Sequence, residues 1–192
     1  MTHKKRYEAI VIGSSAGGLN ALKVLFRGLD DRFHIPMIIV QHISADSENY
    51  LIHILNDIRK LQVKEADEKE QPMPGMAYLA PPNYHLLIEP DRTFTLTVDE
   101  RVNYARPSID VLFETAAEAY KDKLIGIILT GANNDGSNGL KKIKNFGGLT
   151  IVQDPETAEV ESMPRAAIQA TAVDHIIPLD EIAAFLNSLI ES

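Results

Sequence analysis

Tyr7-Glu8-Ala9-Ile10-Val11-Ile12-Gly13-Ser14-Ser15-Ala16-Gly17-Gly18 is the stretch whose reading decides the fold. Its apolar half predicts a short strand over 9–12. The run shows no polar alternation, as expected of a strand covered on both faces. Its small, glycine-rich half turns the chain into a helix that starts near Gly17. As G-x-S-x-G over Gly13, Ser15 and Gly17, it lifts a hydroxyl onto a sharp strand-to-helix turn, beside the unpaired N–H groups of a helix N-terminus. Those groups and the helix dipole favour negative charge, either a phosphate or the oxyanion of an acyl-transfer intermediate. The flanking glycines favour Ser15 over Ser14 as nucleophile, and a small residue in a tight turn is the competing reading for both.

Outward from this turn, strand-like and helical patterns alternate to the end of the chain. Near-continuous apolar runs predict strands over 35–41, 124–129, 149–153 and 175–177. Between them, Ile109, Leu112, Phe113, Ala116, Ala117 and Tyr120 share one helical face, with Ser108 after Pro107 as N-cap. Leu51, Ile54, Leu55 and Ile58 mark a second helix, and Leu140 and Ile143 a third that stops at Gly147-Gly148. Ile182, Phe185, Leu186 and Leu189 mark the last, capped near Asp180. This alternation predicts an α/β fold: a doubly wound, mostly parallel sheet flanked by helices. The stretch 75–98, cut by Pro81-Pro82-Asn83 and Glu89-Pro90-Asp91-Arg92, breaks the rhythm and reads as an antiparallel hairpin insertion or sheet extension. The charged run Lys64-Glu65-Ala66-Asp67-Glu68-Lys69-Glu70 before it reads as a solvated loop.

Bulk properties narrow the class. With 192 residues, no repeat and no linker-like tract, the chain is expected to form one domain over 1–192. A net charge of -8 argues against nucleic acid, whose binders carry a basic footprint. The absence of cysteine excludes disulfides, thiolate catalysis and Cys-based zinc sites. The basic start Met1-Thr2-His3-Lys4-Lys5-Arg6 precedes only a strand-length apolar segment, and no run approaches the roughly 18 apolar residues of a membrane span. A cytoplasmic protein without membrane insertion is expected.

Three predicted strands end in reactive side chains, at the sheet edge where open parallel sheets bind ligands. The first delivers Ser15, the second runs into Gln41-His42, and the strand over 124–129 opens into Thr130-Gly131-Ala132-Asn133-Asn134-Asp135-Gly136. Serine hydrolysis needs this set, with His42 as the base for Ser15 and Asp135 orienting the imidazole. Each member also has an ordinary structural reading. A histidine after a buried strand is often a satisfied core group, and an Asp-Gly pair is often a turn or helix cap. Asp154 is a rival orienting carboxylate, and His85 in the insertion is a further candidate to line a site. No Lys follows either glycine loop as a Walker A motif requires, and Gln41-His42 stands where a dinucleotide fold wants an acidic residue. A nucleotide enzyme is therefore a remote third reading. The Asn133-x-Asp135-Gly136 stretch fails as a calcium loop, with Gly131 and Lys142 at its first and last ligand positions, and no H-E-x-x-H is present.

Together these stretches resemble the catalytic domain of the chemotaxis-type protein-glutamate methylesterases, the CheB family. The resemblance runs through Ile12 to Gly18, Val40-Gln41-His42, Ala80-Pro81-Pro82-Asn83-Tyr84-His85-Leu86, Arg106-Pro107-Ser108-Ile109-Asp110-Val111-Leu112-Phe113 and Leu129 to Gly136. Gly147-Gly148, Gln153-Asp154 and Met163-Pro164-Arg165-Ala166-Ala167 extend it over nearly the whole chain. It implies a catalytic Ser15, His42 and Asp135, oxyanion donors on the backbone of Ala16 and Gly17, and a pocket near Ala132 and Met163. It implies no cofactor and no metal. The implied reaction is hydrolysis of glutamate methyl esters on the cytoplasmic helices of chemoreceptors, with glutamine deamidation in some members. Other chemosensory proteins are the further partners it suggests.

The family often has Thr at Ala16, Met-Gly at Ala132-Asn133 and Gly at Ser162. Many members also carry an N-terminal receiver domain, whereas here only a few residues precede the first strand. The expectation is a stand-alone esterase controlled otherwise, or a trimmed part of a longer protein. The alternative function is a non-catalytic receptor-docking or signalling module that keeps the fold.

Overall fold

The structure, a computed structural model, describes residues 6–42 and 45–190; Met1-Thr2-His3-Lys4-Lys5, most of the basic start noted in the sequence, lies outside them. In chain order the elements are β1 (Ala9–Ser14), α1 (Gly18–Gly28), β2 (Met37–Gln41), α2 (Ala45–Ile58), β3 (Gln62–Glu65), β4 (Met76–Leu79), β5 (His85–Ile88) and β6 (Phe94–Thr97). After them come α3 (Ile109–Tyr120), β7 (Leu124–Ile128), α4 (Ser137–Asn145), β8 (Leu149–Gln153), α5 (Ser162–Ala170), β9 (His175–Ile177) and α6 (Leu179–Ile190). Seven strands form one parallel sheet in the order β3-β4-β2-β1-β7-β8-β9. Strands β5 and β6 pair antiparallel as a separate hairpin.

The absence of polar alternation in β1 has its cause here. Ile10 and Ile12 point into one apolar layer, with Leu22, Leu25 and Phe26 of α1, Leu51 and Leu55 of α2, and Ile182 and Leu186 of α6. Ala9 and Val11 point into the other, with Leu112 and Phe113 of α3, Leu140 and Ile143 of α4, Met163 of α5, and Leu86 and Phe94 of the hairpin. Both faces are dry, and each fully buried Leu, Ile or Phe contributes about 1.5–3 kcal/mol of transfer free energy. The chain steps from β1 outward to β2 on one side and later to β7 on the other. A crevice therefore opens beyond the carboxyl ends of β1 and its neighbours, the switch point of the sheet. Among the described residues no helix is long and apolar enough to cross a membrane.

The doubly wound architecture and the hairpin agree with the sequence patterns, with three corrections. Met76–Leu79 is not part of an antiparallel insertion; it is a parallel strand inside the main sheet, between β2 and β3. The hairpin proper is confined to β5 and β6. The charged run read as a loop begins inside β3, an edge strand whose Lys64 pairs with Asp67 and Glu70. Edge strands tolerate charge because one side of the strand faces water, so charge pattern alone hides them. Asp180 lies in the first turn of α6, not at its cap.

Candidate active site

Register brings the first two site residues together. Ser14 of β1 is the paired neighbour of Gln41 of β2, so Ser15 and His42 leave the sheet side by side. Their backbones are tied at that exit: the His42 N–H donates to the Ser14 carbonyl at 3.0 Å and the Ser15 N–H to the Thr130 carbonyl at 3.0 Å. The Gln41 amide donates to the carbonyls of Ser15 (2.8 Å) and His42 (3.2 Å). Ser14 is fully buried and its hydroxyl donates to Gln41 Oε1, so it has neither access nor a free proton. Ser15 is half-buried, and its hydroxyl has no hydrogen-bond partner among the described residues.

The turn after Ser15 needs its glycines for two different reasons. Gly17 adopts φ 79°, a left-handed conformation that a side chain would strain. At Gly18 a Cβ would sit 1.8 Å from Gln41 Oε1, so any side chain there would expel the glutamine that braces both carbonyls. The N–H groups of Ala16 and Gly17 have no acceptor among the described residues. They follow Ser15 directly in the chain, at the N-terminal end of α1.

Asp135 follows β7 and is fully buried. Its Oδ2 lies 3.0 Å from His42 Nε2, a close electrostatic pairing bent away from a straight hydrogen bond. The same carboxylate serves as the N-terminal cap of α3. It accepts from the Ile109 N–H at 2.7 Å, the Asp110 N–H at 3.0 Å and the Ser108 hydroxyl at 2.9 Å. Ser108 stands at the predicted N-cap but caps nothing directly; its hydroxyl is turned to Asp135 instead. Burial pushes the Asp135 pKa up, but the pairing with His42 and the hydrogen bonds from Asn103, Ile109 and Asp110 outweigh it and the net shift is down. The carboxylate is held ionised, which puts the proton of a neutral His42 on Nε2 and leaves Nδ1 as its acceptor.

Further polar groups complete the site. Asn103 Nδ2 donates to Asp135 Oδ1 (2.9 Å) and to Asp110 Oδ2 (2.8 Å), bridging two buried carboxylates. Asp110, held also by the Gly139 N–H at 2.7 Å, has its pKa raised by burial, and the neighbouring Asp135 charge adds to the rise. Asn103 and Tyr104 both have positive φ, and Val102 and Ala105 exchange backbone hydrogen bonds around them in a tight turn. That turn leaves Tyr104 97% exposed at the mouth of a groove lined by Ser15, His42, Asn133, Arg101 and Pro107. Asn133 contacts the other ring nitrogen of His42, its Nδ2 3.3 Å from Nδ1. Among the described residues no cluster of three His, Asp or Glu side chains is disposed to hold a metal ion.

Residues 10–186 match the CheB methylesterase family. The chain belongs to that family. A relative from Leptospira interrogans, provisionally named a protein-glutamate methylesterase/protein-glutamine glutaminase, is 60% identical over 177 residues and 92% of each chain. A Thermotoga maritima protein-glutamate methylesterase/protein-glutamine glutaminase is 36% identical over 184 residues, which are 94% of this chain and 54% of that one. The chain thus spans about half the length of some of its curated relatives. The crystal structure of the Thermotoga maritima CheB methylesterase catalytic domain superposes with a TM-score of 0.91 at 35% identity, over 95% of this chain and 98% of that one. The chain is accordingly an ester hydrolase of the protein-glutamate methylesterase kind.

Within this methylesterase, Ser15, His42 and Asp135 come to one crevice with Ala16 and Gly17 next to Ser15 in the chain, and the remaining residues singled out in the sequence lie elsewhere or do something else. The rival carboxylate Asp154 caps the short turn after β8 through the Glu156 N–H. His85 is buried; its Nδ1 accepts from the Ser108 N–H at 3.2 Å and its Nε2 bonds the Glu100 carbonyl at 2.9 Å, which straps the hairpin to the start of α3. Met163 is fully buried in the core against Gly131, and Ala132 is exposed; the groove is lined by the 101–107 loop and Asn133 instead. Asn103, Ser108 and Asp110 had no assigned partner in the sequence. The available signal was one stretch, Asn103 to Asp110, whose polar and charged residues run into the first turn of an amphipathic helix. Their common acceptor lies 25 or more positions further along the chain.

Proposed function

We propose that Ser15, His42 and Asp135 form a catalytic triad that hydrolyses glutamate methyl esters on the cytoplasmic helices of chemoreceptors. The observation that carries this is the pairing of His42 Nε2 with the buried Asp135 carboxylate at 3.0 Å, beside a groove lined by Ser15, whose hydroxyl has no partner among the described residues. Ser15 Oγ attacks the ester carbonyl while His42 Nδ1 takes the hydroxyl proton. The tetrahedral oxyanion is received by the N–H groups of Ala16 and Gly17; one such donor is typically worth about 10²–10³ in rate. Collapse breaks the bond to the methoxy oxygen, and the imidazolium returns its proton so that methanol leaves. Water, deprotonated by His42, then opens the acyl-enzyme and releases the glutamate carboxylate and Ser15. With a primary amide in place of the ester the same steps expel ammonia, which is the glutaminase reaction named for the relatives.

The groove suits a helix rich in glutamate although the protein carries a net charge of -8. Arg101 and Arg106 line its mouth, and Arg101 has no ion pair among the described residues. The test is methanol release from a methylated chemoreceptor cytoplasmic fragment, with the parent chain and Ser15→Ala side by side. The parent releases methanol, and Ser15→Ala falls by on the order of 10⁴-fold or more while binding the fragment. Binding without release by either chain would point to the docking module instead.

A further inference from the structure

His42 Nδ1 has a single lone pair, and the side chain of Asn133 points a donor at it. We infer that Asn133 is a positioning residue that restrains the esterase, by holding the lone pair into which Ser15 must pass its proton. The inference rests on the triad reading above.

Three observations combine. First, the ionised Asp135 beside Nε2 makes Nδ1 the acceptor of the ring, and Asn133 Nδ2 lies 3.3 Å from it. Second, the amide orientation follows from its other end. Asn133 Oδ1 accepts the Asp135 N–H at 3.0 Å in an Asx turn, so a flipped amide would set donor against donor there and acceptor against acceptor at Nδ1. Third, the Ser15 hydroxyl, the donor that catalysis requires at Nδ1, is without a partner among the described residues. Two donors cannot share one lone pair at full strength. Each turnover therefore begins by exchanging the Asn133 contact for the Ser15 one, a cost that falls on the chemical step and not on substrate binding.

An oxyanion donor would be the other use for an amide in this groove, and it predicts the opposite sign. Asn133→Ser and Asn133→Asp separate the two. Serine keeps an oxygen for the Asp135 N–H but has no donor that reaches His42. Aspartate keeps the shape and the turn but turns an acceptor toward Nδ1, favouring a proton on the nitrogen that must be bare. In methanol release from a methylated chemoreceptor fragment, Asn133→Ser should raise kcat by about two- to tenfold, the range of one net hydrogen bond, with KM unchanged. Asn133→Asp should fall below the parent. In ¹⁵N spectra of the ring nitrogens, the His42 Nδ1 resonance should move in Asn133→Ser and become that of a protonated nitrogen in Asn133→Asp. A kcat at or below the parent in Asn133→Ser, or an unmoved Nδ1 resonance, overturns the restraint. Undiminished release by Ser15→Ala sinks the triad and the restraint with it. Release lost in Ser15→Ala but not raised in Asn133→Ser sinks the restraint alone.

Discussion

At one end of the groove Asp135 is wholly buried, accepts from two backbone N–H groups, a hydroxyl and an amide, and lies against His42 Nε2. At the other end Ser15 is half-buried, and its hydroxyl and the two N–H groups that follow it in the chain have no partner among the described residues. The two ends differ in the time at which their charge exists. Asp135 is charged throughout, so its charge needs permanent partners, and removing them would leave an ion in a low-dielectric interior. In the proposed reaction the charge near Ser15 appears only in the transition state, so its partners must stand ready and empty beforehand.

The contrast breaks most directly on stability. Asp135→Ala strips the cap from α3 and leaves the Ile109 and Asp110 N–H groups, Ser108 and Asn103 without an acceptor. It should cost about 3–5 kcal/mol in chemical denaturation, the range for breaking a buried charge pair, and abolish activity as well. Ser15→Ala should lie within about 0.5 kcal/mol of the parent while losing activity. A stability loss of equal size in both variants would show that the Ser15 end is bound into the fold as tightly as the Asp135 end.

The same contrast has a pH dependence. The folded pKa of Asp135 lies below its unfolded value, so the folded state binds fewer protons where the two differ. Its stabilising contribution is complete above the unfolded carboxylate pKa of about 3.9 and is lost as pH falls through the lower, folded value. Asp110 runs the other way. Its folded pKa is raised, so its contribution is largest below the unfolded pKa and declines as pH rises toward the folded value. Acid titrations followed by circular dichroism should show Asp135→Asn flattening the acid limb and Asp110→Asn raising relative stability toward neutrality. Ser15→Ala should run parallel to the parent.

The smallest effect sharpens the comparison. Ser108→Ala removes one of the donors to Asp135 and should cost about 1 kcal/mol, with a kcat loss of only a few-fold. A loss as large as that of Asp135→Ala would mean that Ser108, and not the backbone of α3, fixes the carboxylate.

Much of this was legible from pattern. The strands 149–153 and 175–177 and the helix 109–120 fall where apolar spacing puts them, because each buries a face against the sheet or completes it. Strand β1 runs two residues beyond its apolar run, through Gly13 and Ser14, because the ladder to Gln41 continues there regardless of side-chain polarity. β3 was illegible because an edge strand carries charge, and β4 was misassigned because a four-residue run does not say which partners it will have. In the site, strand ends pointed to Ser15, His42 and Asp135. Nothing in the local sequence ranks Ser14 against Ser15 as decisively as the Ser14 hydroxyl bound to Gln41 inside a closed core.

What the sequence by itself determined is the set of reactive side chains and the edge of the sheet at which they emerge, because hydrophobic period and glycine placement are local properties. What only the tertiary structure decided is their company. The cap that Asp135 gives α3, the bridge from Asn103 to Asp110 and the amide of Asn133 on His42 join residues 7 to 91 positions apart. Such contacts are set by sheet register and helix docking, which no run of neighbouring residues encodes.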